Sequence, residues 1–177
     1  KKQSNQLLIL LSLVDESCIE ILTKIYLNNF AITNDLKLKI KVKLHPLMKK
    51  KNILRKLKWN NLPEGWEWAK NDLYEELNNS YCCIAMDTAA VFDAIIKENI
   101  VISLKSDLNL MENYLDFFTD KYPFTNSISE NELVKTLQDI FLHKKEEYKD
   151  EFKKIKNELI DGITPVSNKS LGAFIEF

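Results

Sequence analysis

An apolar run, Tyr81–Met86, breaks off at Asp87-Thr88, a helical run follows, and a second apolar run, Ile100–Leu104, closes the unit. That succession is the pattern of a buried strand, a helix and another buried strand, with the helix starting at the first strand's carboxyl end. Two strands buried on both faces and joined through a helix run parallel, which restricts the chain to layered α/β folds. A helix start in that place offers unpaired backbone N–H groups and partial positive charge, which suit phosphate.

The rest of the chain repeats the alternation. Leu7–Val14 predicts a central parallel strand, and Asp15-Glu16-Ser17 starts a helix to about Asn29, its acids matching the helix dipole. Leu36–His45 alternates Leu-Lys-Leu-Lys and predicts a strand with one wetter face, ended by Pro46. A short basic helix over 47–58, a short strand near Trp66–Ala69 and a helix over Leu73–Asn79 capped by Asn71 or Asp72 follow. Beyond the 81–104 unit, Leu110–Phe118 predicts a helix and Pro123–Ile128 a short strand or extended loop. Ser129-Glu-Asn-Glu132 predicts a capping box for one long amphipathic helix over 129–162, stopped by Gly162 and Pro165. At 177 residues and 45% hydrophobic content, all of this fits one domain spanning 1–177.

The bulk composition narrows the function. A net charge of -1, from 25 basic and 26 acidic residues, gives no support for a nucleic-acid binder. The three cysteines read as buried reduced thiols, and Leu7–Val14 lacks a signal peptide's flank-and-cleavage pattern, so a cytoplasmic location, extending to the inner face of the membrane, is expected. No run reaches the ~20 apolar residues of a membrane helix. From Lys37 to Lys58 there are ten basic residues and no acid, compatible with an anionic lipid surface, a polyanionic acceptor or a nucleotide, although such a run more often forms solvated strand and helix faces. His45 and His143 stand far apart without ligand-spaced partners, so no metal site is expected, and no P-loop, G-x-G-x-x-G or G-x-S-x-G is present.

In a parallel sheet the ligand is sought at the carboxyl ends of the strands. His45-Pro46 ends one strand, where an imidazole can donate to a phosphate or leaving nucleotide, or simply satisfy a backbone group. Thr88 offers a hydroxyl at a helix start, while Asp87, repelled by phosphate, fits better as a cap. Asp93 can accept from a ribose diol or face solvent. Ser17 lies at the first strand's end, and Trp68 at another, where an indole can stack on a base or fill the core.

Taken in order, Ile40-Lys-Val-Lys-Leu-His45-Pro46, Asp72-Leu-Tyr-Glu-Glu-Leu77, Tyr81–Leu104 and Ser129-Glu-Asn-Glu-Leu133 resemble the C-terminal, donor-binding half of bacterial surface-carbohydrate glycosyltransferases with the GT-B fold, sialyltransferase-like and glycerophosphotransferase-like enzymes among them. The resemblance spans roughly residues 7–142. It implies a Rossmann-like parallel sheet of about five to six strands in the order 3-2-1-4-5-6 flanked by helices, one half of a GT-B fold. It also implies a CMP-, CDP- or UDP-linked sugar donor as substrate, no cofactor, and a glycan acceptor held by an N-terminal domain outside this chain. His45 would then contact the donor's phosphate, Thr88 hold it, and Asp93 meet the ribose or sugar. The sequence departs from the family where Asp87-Thr88 replaces a pair of small hydroxyl residues and Glu98-Asn99-Ile100 replaces Gly-x-Pro. The chain opens on Lys1, and we expect a fragment that is inactive alone. A non-catalytic α/β module with a degenerate site, or half of a nucleotide-sugar epimerase, are the alternatives.

Overall fold

In the computed structural model, the described residues are 5–110, 127–142 and 145–162. Strands β1 (Gln6–Leu10), β2 (Lys39–Lys43), β3 (Trp66–Trp68), β4 (Cys82–Ala85), β5 (Ile100–Leu104) and β6 (Ser127–Ile128) form one sheet in the order β3-β2-β1-β4-β5-β6. Every neighbouring pair is parallel. Helices α1 (Asp15–Leu27), α2 (Lys50–Leu57), α3 (Leu73–Asn79) and α4 (Ala90–Ile96) connect them, and α5 (Leu133–Leu142) and α6 (Lys149–Gly162) follow. The protein therefore has the expected Rossmann-like α/β arrangement. The sheet grows outward from β1 to β3, then resumes beside β1 with β4, so the switch point lies between β1 and β4.

Side-chain pattern accounts for this order. Leu7–Leu10, all of β4 and all of β5 are buried, so these strands need cover on both faces and occupy the middle. In β2, Ile40 and Val42 are buried while Lys39 is exposed, which keeps it nearer the edge. Helix α1 presents Cys18, Ile21, Leu22 and Ile25 to the core, an i, i+3, i+4, i+7 stripe worth about 2 kcal/mol per large side chain. Trp59 and Trp66 fill the gap beside α1: Tyr26 and Trp59 centroids are 5.2 Å apart, and Trp66 Nε1 donates to Asn29 Oδ1 at 2.6 Å.

Much of the basic run also has structural partners. The Lys41 ammonium reaches Glu76 at 3.1 Å, Lys43 donates to the Asn71 carbonyl, and Lys56 pairs with Asp15 at 2.6 Å. These contacts tie β2 to the β3–α3 loop and α2 to α1.

Two expectations need correction. The strand foreseen over Leu7–Val14 ends at Leu10, and the residues beyond it form the loop into α1. The single helix expected over 129–162 is instead α5, a 3-10 turn at Lys145–Tyr148, and α6. A straight helix of that length would run ~50 Å, past the edge of a domain this size. The break returns Phe152 and Ile155 to the core, beside α4. The capping box is half formed: Glu132 accepts from the Ser129 N–H at 3.0 Å, but the Ser129 hydroxyl donates to the same carboxylate at 2.7 Å. The helix expected over Leu110–Phe118 falls beyond Leu110 outside the described residues, as does His143.

Candidate ligand cleft at the switch point

An open cleft of about 540 Å³ lies at the carboxyl ends of β1, β2 and β4. Its floor is apolar, from Leu10, Leu11, Leu13 and Val14. Lys43, His45 and Pro46 supply one wall, Asp87, Thr88 and Asp93 the other, and Asp72 and Leu73 close the side at the start of α3. The topology thus brings together five of the residues singled out from sequence: His45, Pro46, Asp87, Thr88 and Asp93.

His45 follows the end of β2, and its ring is positioned by a local turn. The Leu47 N–H donates to Nδ1 at 3.3 Å, and the Met48 N–H donates to the His45 carbonyl at 2.9 Å. With Nδ1 accepting, the neutral ring carries its proton on Nε2 and is a donor there. Lys43, the last residue of β2, donates to the Asn71 carbonyl with one of its three N–H groups.

The opposite wall departs from expectation. Asp87 has φ +53°, a left-handed conformation that Asp adopts more readily than most residues but that stops helix and strand alike. It is only 7% exposed, and its Oδ2 accepts from the Ser17 hydroxyl at 2.7 Å. Burial pushes the Asp87 carboxyl up, Ser17 partly opposes that, and the Glu20 charge adds to it. Asp87 is therefore not the cap of α4. The helix starts at Ala90, with Ala89 at the cap position and no side-chain cap bond, and it has seven residues. Thr88 is buried, and its Oγ1 accepts from the Ala90 N–H at 3.4 Å, so the hydroxyl already faces the turn it was expected to offer a phosphate. Asp93 stands at the rim, where Oδ1 accepts from the Tyr74 hydroxyl at 3.0 Å.

Ser17 and Trp68 do not line the cleft. Ser17 is 1% exposed and supports Asp87 from below. Trp68 borders a separate groove of about 420 Å³ with Leu62 and Lys70, and the Lys50 ammonium lies 5.6 Å from its ring centre.

Sequence reasoning passed over the residues that hold these walls. Glu76 is fully buried; its carboxylate accepts from Lys41 at 3.1 Å and from the backbone N–H groups of Lys70 and Asn71 at 3.2 Å each. It thereby fixes the loop that leads to Asp72, whose Oδ1 caps α3 by accepting from the Glu75 N–H at 2.8 Å. Nothing in Glu75-Glu76 distinguishes the buried acid from its exposed neighbour. A second buried cluster was more legible: Glu20 and Lys24 stand at i, i+4 and pair at 2.9 Å, with Lys24 also reaching Asp107 at 3.1 Å and the Lys105 carbonyl at 2.7 Å. It anchors the loop after β5.

Among the described residues, no group of three or more His, Cys, Asp or Glu is placed to hold a metal ion. Cys18, Cys82 and Cys83 are buried thiols, and burial pushes the Cys18 thiol up to about 11. No described helix is long and apolar enough to cross a membrane. No family model matches the chain, and no match is found among curated proteins or solved structures.

Proposed function

We propose that the chain is the nucleotide-sugar donor-binding half of a glycosyltransferase that builds bacterial surface polysaccharide. One observation carries the reading: His45-Pro46 beyond β2 and Thr88 and Asp93 beyond β4 face a single cleft at the switch point of a parallel sheet. A flat base or sugar ring fits the leucine floor, and the donors and carboxylates on the walls supply orientation. His45 Nε2–H would donate to the phosphate oxygen on which charge builds as the nucleotide leaves. In the family that the sequence resembles, the acceptor hydroxyl and its carboxylate base belong to a second domain, so the role proposed for these residues is to hold the donor. The same reading puts it in the cytoplasm, where such donors are supplied, with the basic run available to an anionic membrane surface.

Titration with CMP, CDP and UDP, followed by the His45 imidazole signals, tests this. Saturable binding by at least one nucleotide with a shift at His45 is expected. No binding by any of them sinks the proposal.

A second reading, a non-catalytic module that uses the same cleft for another ligand or a protein partner, is favoured by one feature. The buried Asp87 carboxylate stands where the family places small hydroxyl residues. Binding of a nucleoside or polyol with no preference for its phosphorylated form would favour this reading over the first.

A further inference from the structure

The cleft has walls of opposite character, and the left-handed turn at Asp87 creates the difference. We propose that Asp87 bars phosphate from the start of α4 and makes that wall a hydroxyl-recognising surface, so that a nucleotide lies with its phosphate against Lys43 and its hydroxyls toward Asp87 and Asp93. This orientation rests on the nucleotide-binding reading of the cleft and adds to it the residue that sets polarity.

Three observations carry it. First, α4 offers no anion seat: it is seven residues long, starts two residues later than the sequence indicates, and has the Thr88 hydroxyl turned onto its Ala90 N–H. Second, Asp87 is buried beside that start and lines the cleft, and Ser17 engages Oδ2, so the carboxylate keeps acceptor capacity on Oδ1. Asp93 is similarly half engaged, its Oδ1 on Tyr74. Two carboxylates on one wall accept from hydroxyls and repel phosphate. Third, the cations and donors are on the other wall: the Lys43 ammonium keeps donor capacity beyond the Asn71 carbonyl, and His45 presents Nε2–H. The leucine floor between the walls offers a polar ligand no competing hydrogen bonds, so the walls decide its direction.

The test compares nucleotide with nucleoside, CMP against cytidine and UDP against uridine, by calorimetric titration of the full 177-residue chain and two variants. Asp87→Asn is structurally mild, because Asn tolerates positive φ and its amide oxygen can still accept from Ser17. It should weaken nucleotide and nucleoside alike, by about three- to tenfold, and leave their ratio unchanged. Lys43→Met should lower nucleotide affinity about tenfold or more and spare the nucleoside. If Lys43→Met fails to fold by circular dichroism, His45→Gln replaces it with the same expectation. The orientation is overturned, with nucleotide binding itself intact, if Asp87→Asn selectively strengthens the nucleotide while the β2-wall variant leaves it unaffected. That pattern would put the phosphate at α4. Absence of any nucleotide or nucleoside binding overturns the orientation together with the reading beneath it.

Discussion

Replacing Glu76 should expose how much of the cleft's geometry depends on one buried charge. The carboxylate is fully buried and receives three hydrogen bonds, from Lys41 and from the Lys70 and Asn71 amides. Glu76→Gln keeps an oxygen for the two amides but turns an N–H₂ group toward the Lys41 ammonium. The loss is one charge-assisted bond, ~2 kcal/mol, since the Lys41 side chain is 24% exposed and can turn partly to water. Glu76→Ala strands both amides as well and should cost ~3–5 kcal/mol, roughly 2–4 °C of Tm for each kcal/mol. Urea unfolding followed by far-UV circular dichroism measures both.

The pH dependence has a definite sign. Burial alone would raise the Glu76 carboxyl, but the Lys41 bond, the two amides and the Lys41 charge outweigh it and hold it below its ordinary 4.5. A depressed carboxyl contributes stability that is complete above that ordinary value and is lost as pH falls through the folded value. Wild-type protein should therefore lose stability below pH ~4.5 more steeply than Glu76→Gln. The Lys41→Met/Glu76→Gln pair should cost less than the sum of its single changes. A cost under ~0.5 kcal/mol for Glu76→Gln, with an unchanged acid slope, would refute the reasoning.

Further expectations concern the supports around the cleft. Lys24→Ala removes the ammonium held by Glu20, Asp107 and the Lys105 carbonyl and should cost ~3 kcal/mol by urea unfolding, freeing the loop after β5 to faster amide exchange. Burial opposes the Lys24 charge, but its carboxylate partners raise the ammonium above 10.5, so its contribution is lost only as pH rises through that raised value. Lys58 and Glu98 end α2 and α4 at φ +57° and +60°, and Lys58→Gly should add ~0.5–1 kcal/mol of stability by urea unfolding, with less from Glu98→Gly, which also gives up the exposed Lys156 pair.

The frame was legible because the apolar runs in β1, β4 and β5 are continuous and the Leu-Lys alternation in β2 is regular; each pattern has one packing solution in a parallel sheet. The positions of His45 and Thr88 followed, since strand ends in such a sheet share an edge. The failures have physical causes. Leu11–Val14 is as apolar as the strand before it because it floors a cleft, so composition could not mark where β1 stops. Leu133, Leu137, Ile140, Phe152 and Ile155 keep a helical phase across the break, so periodicity alone read one helix where the core requires two. Asp87 does not act as the cap because capping preference weighs only nearby N–H groups, whereas its carboxylate is engaged by a long-range partner, Ser17. Glu76 left no local signal, for its partners come from β2 and a loop.

The central claim is that the switch-point cleft holds a nucleotide. The most direct measurement is a backbone-amide chemical-shift map of the chain during titration with CMP, CDP and UDP. The account predicts saturable shifts confined to residues around His45, Thr88 and Asp93, with Trp68 and its groove unmoved. Shifts centred on the Trp68 groove, or none at saturating nucleotide, would contradict it.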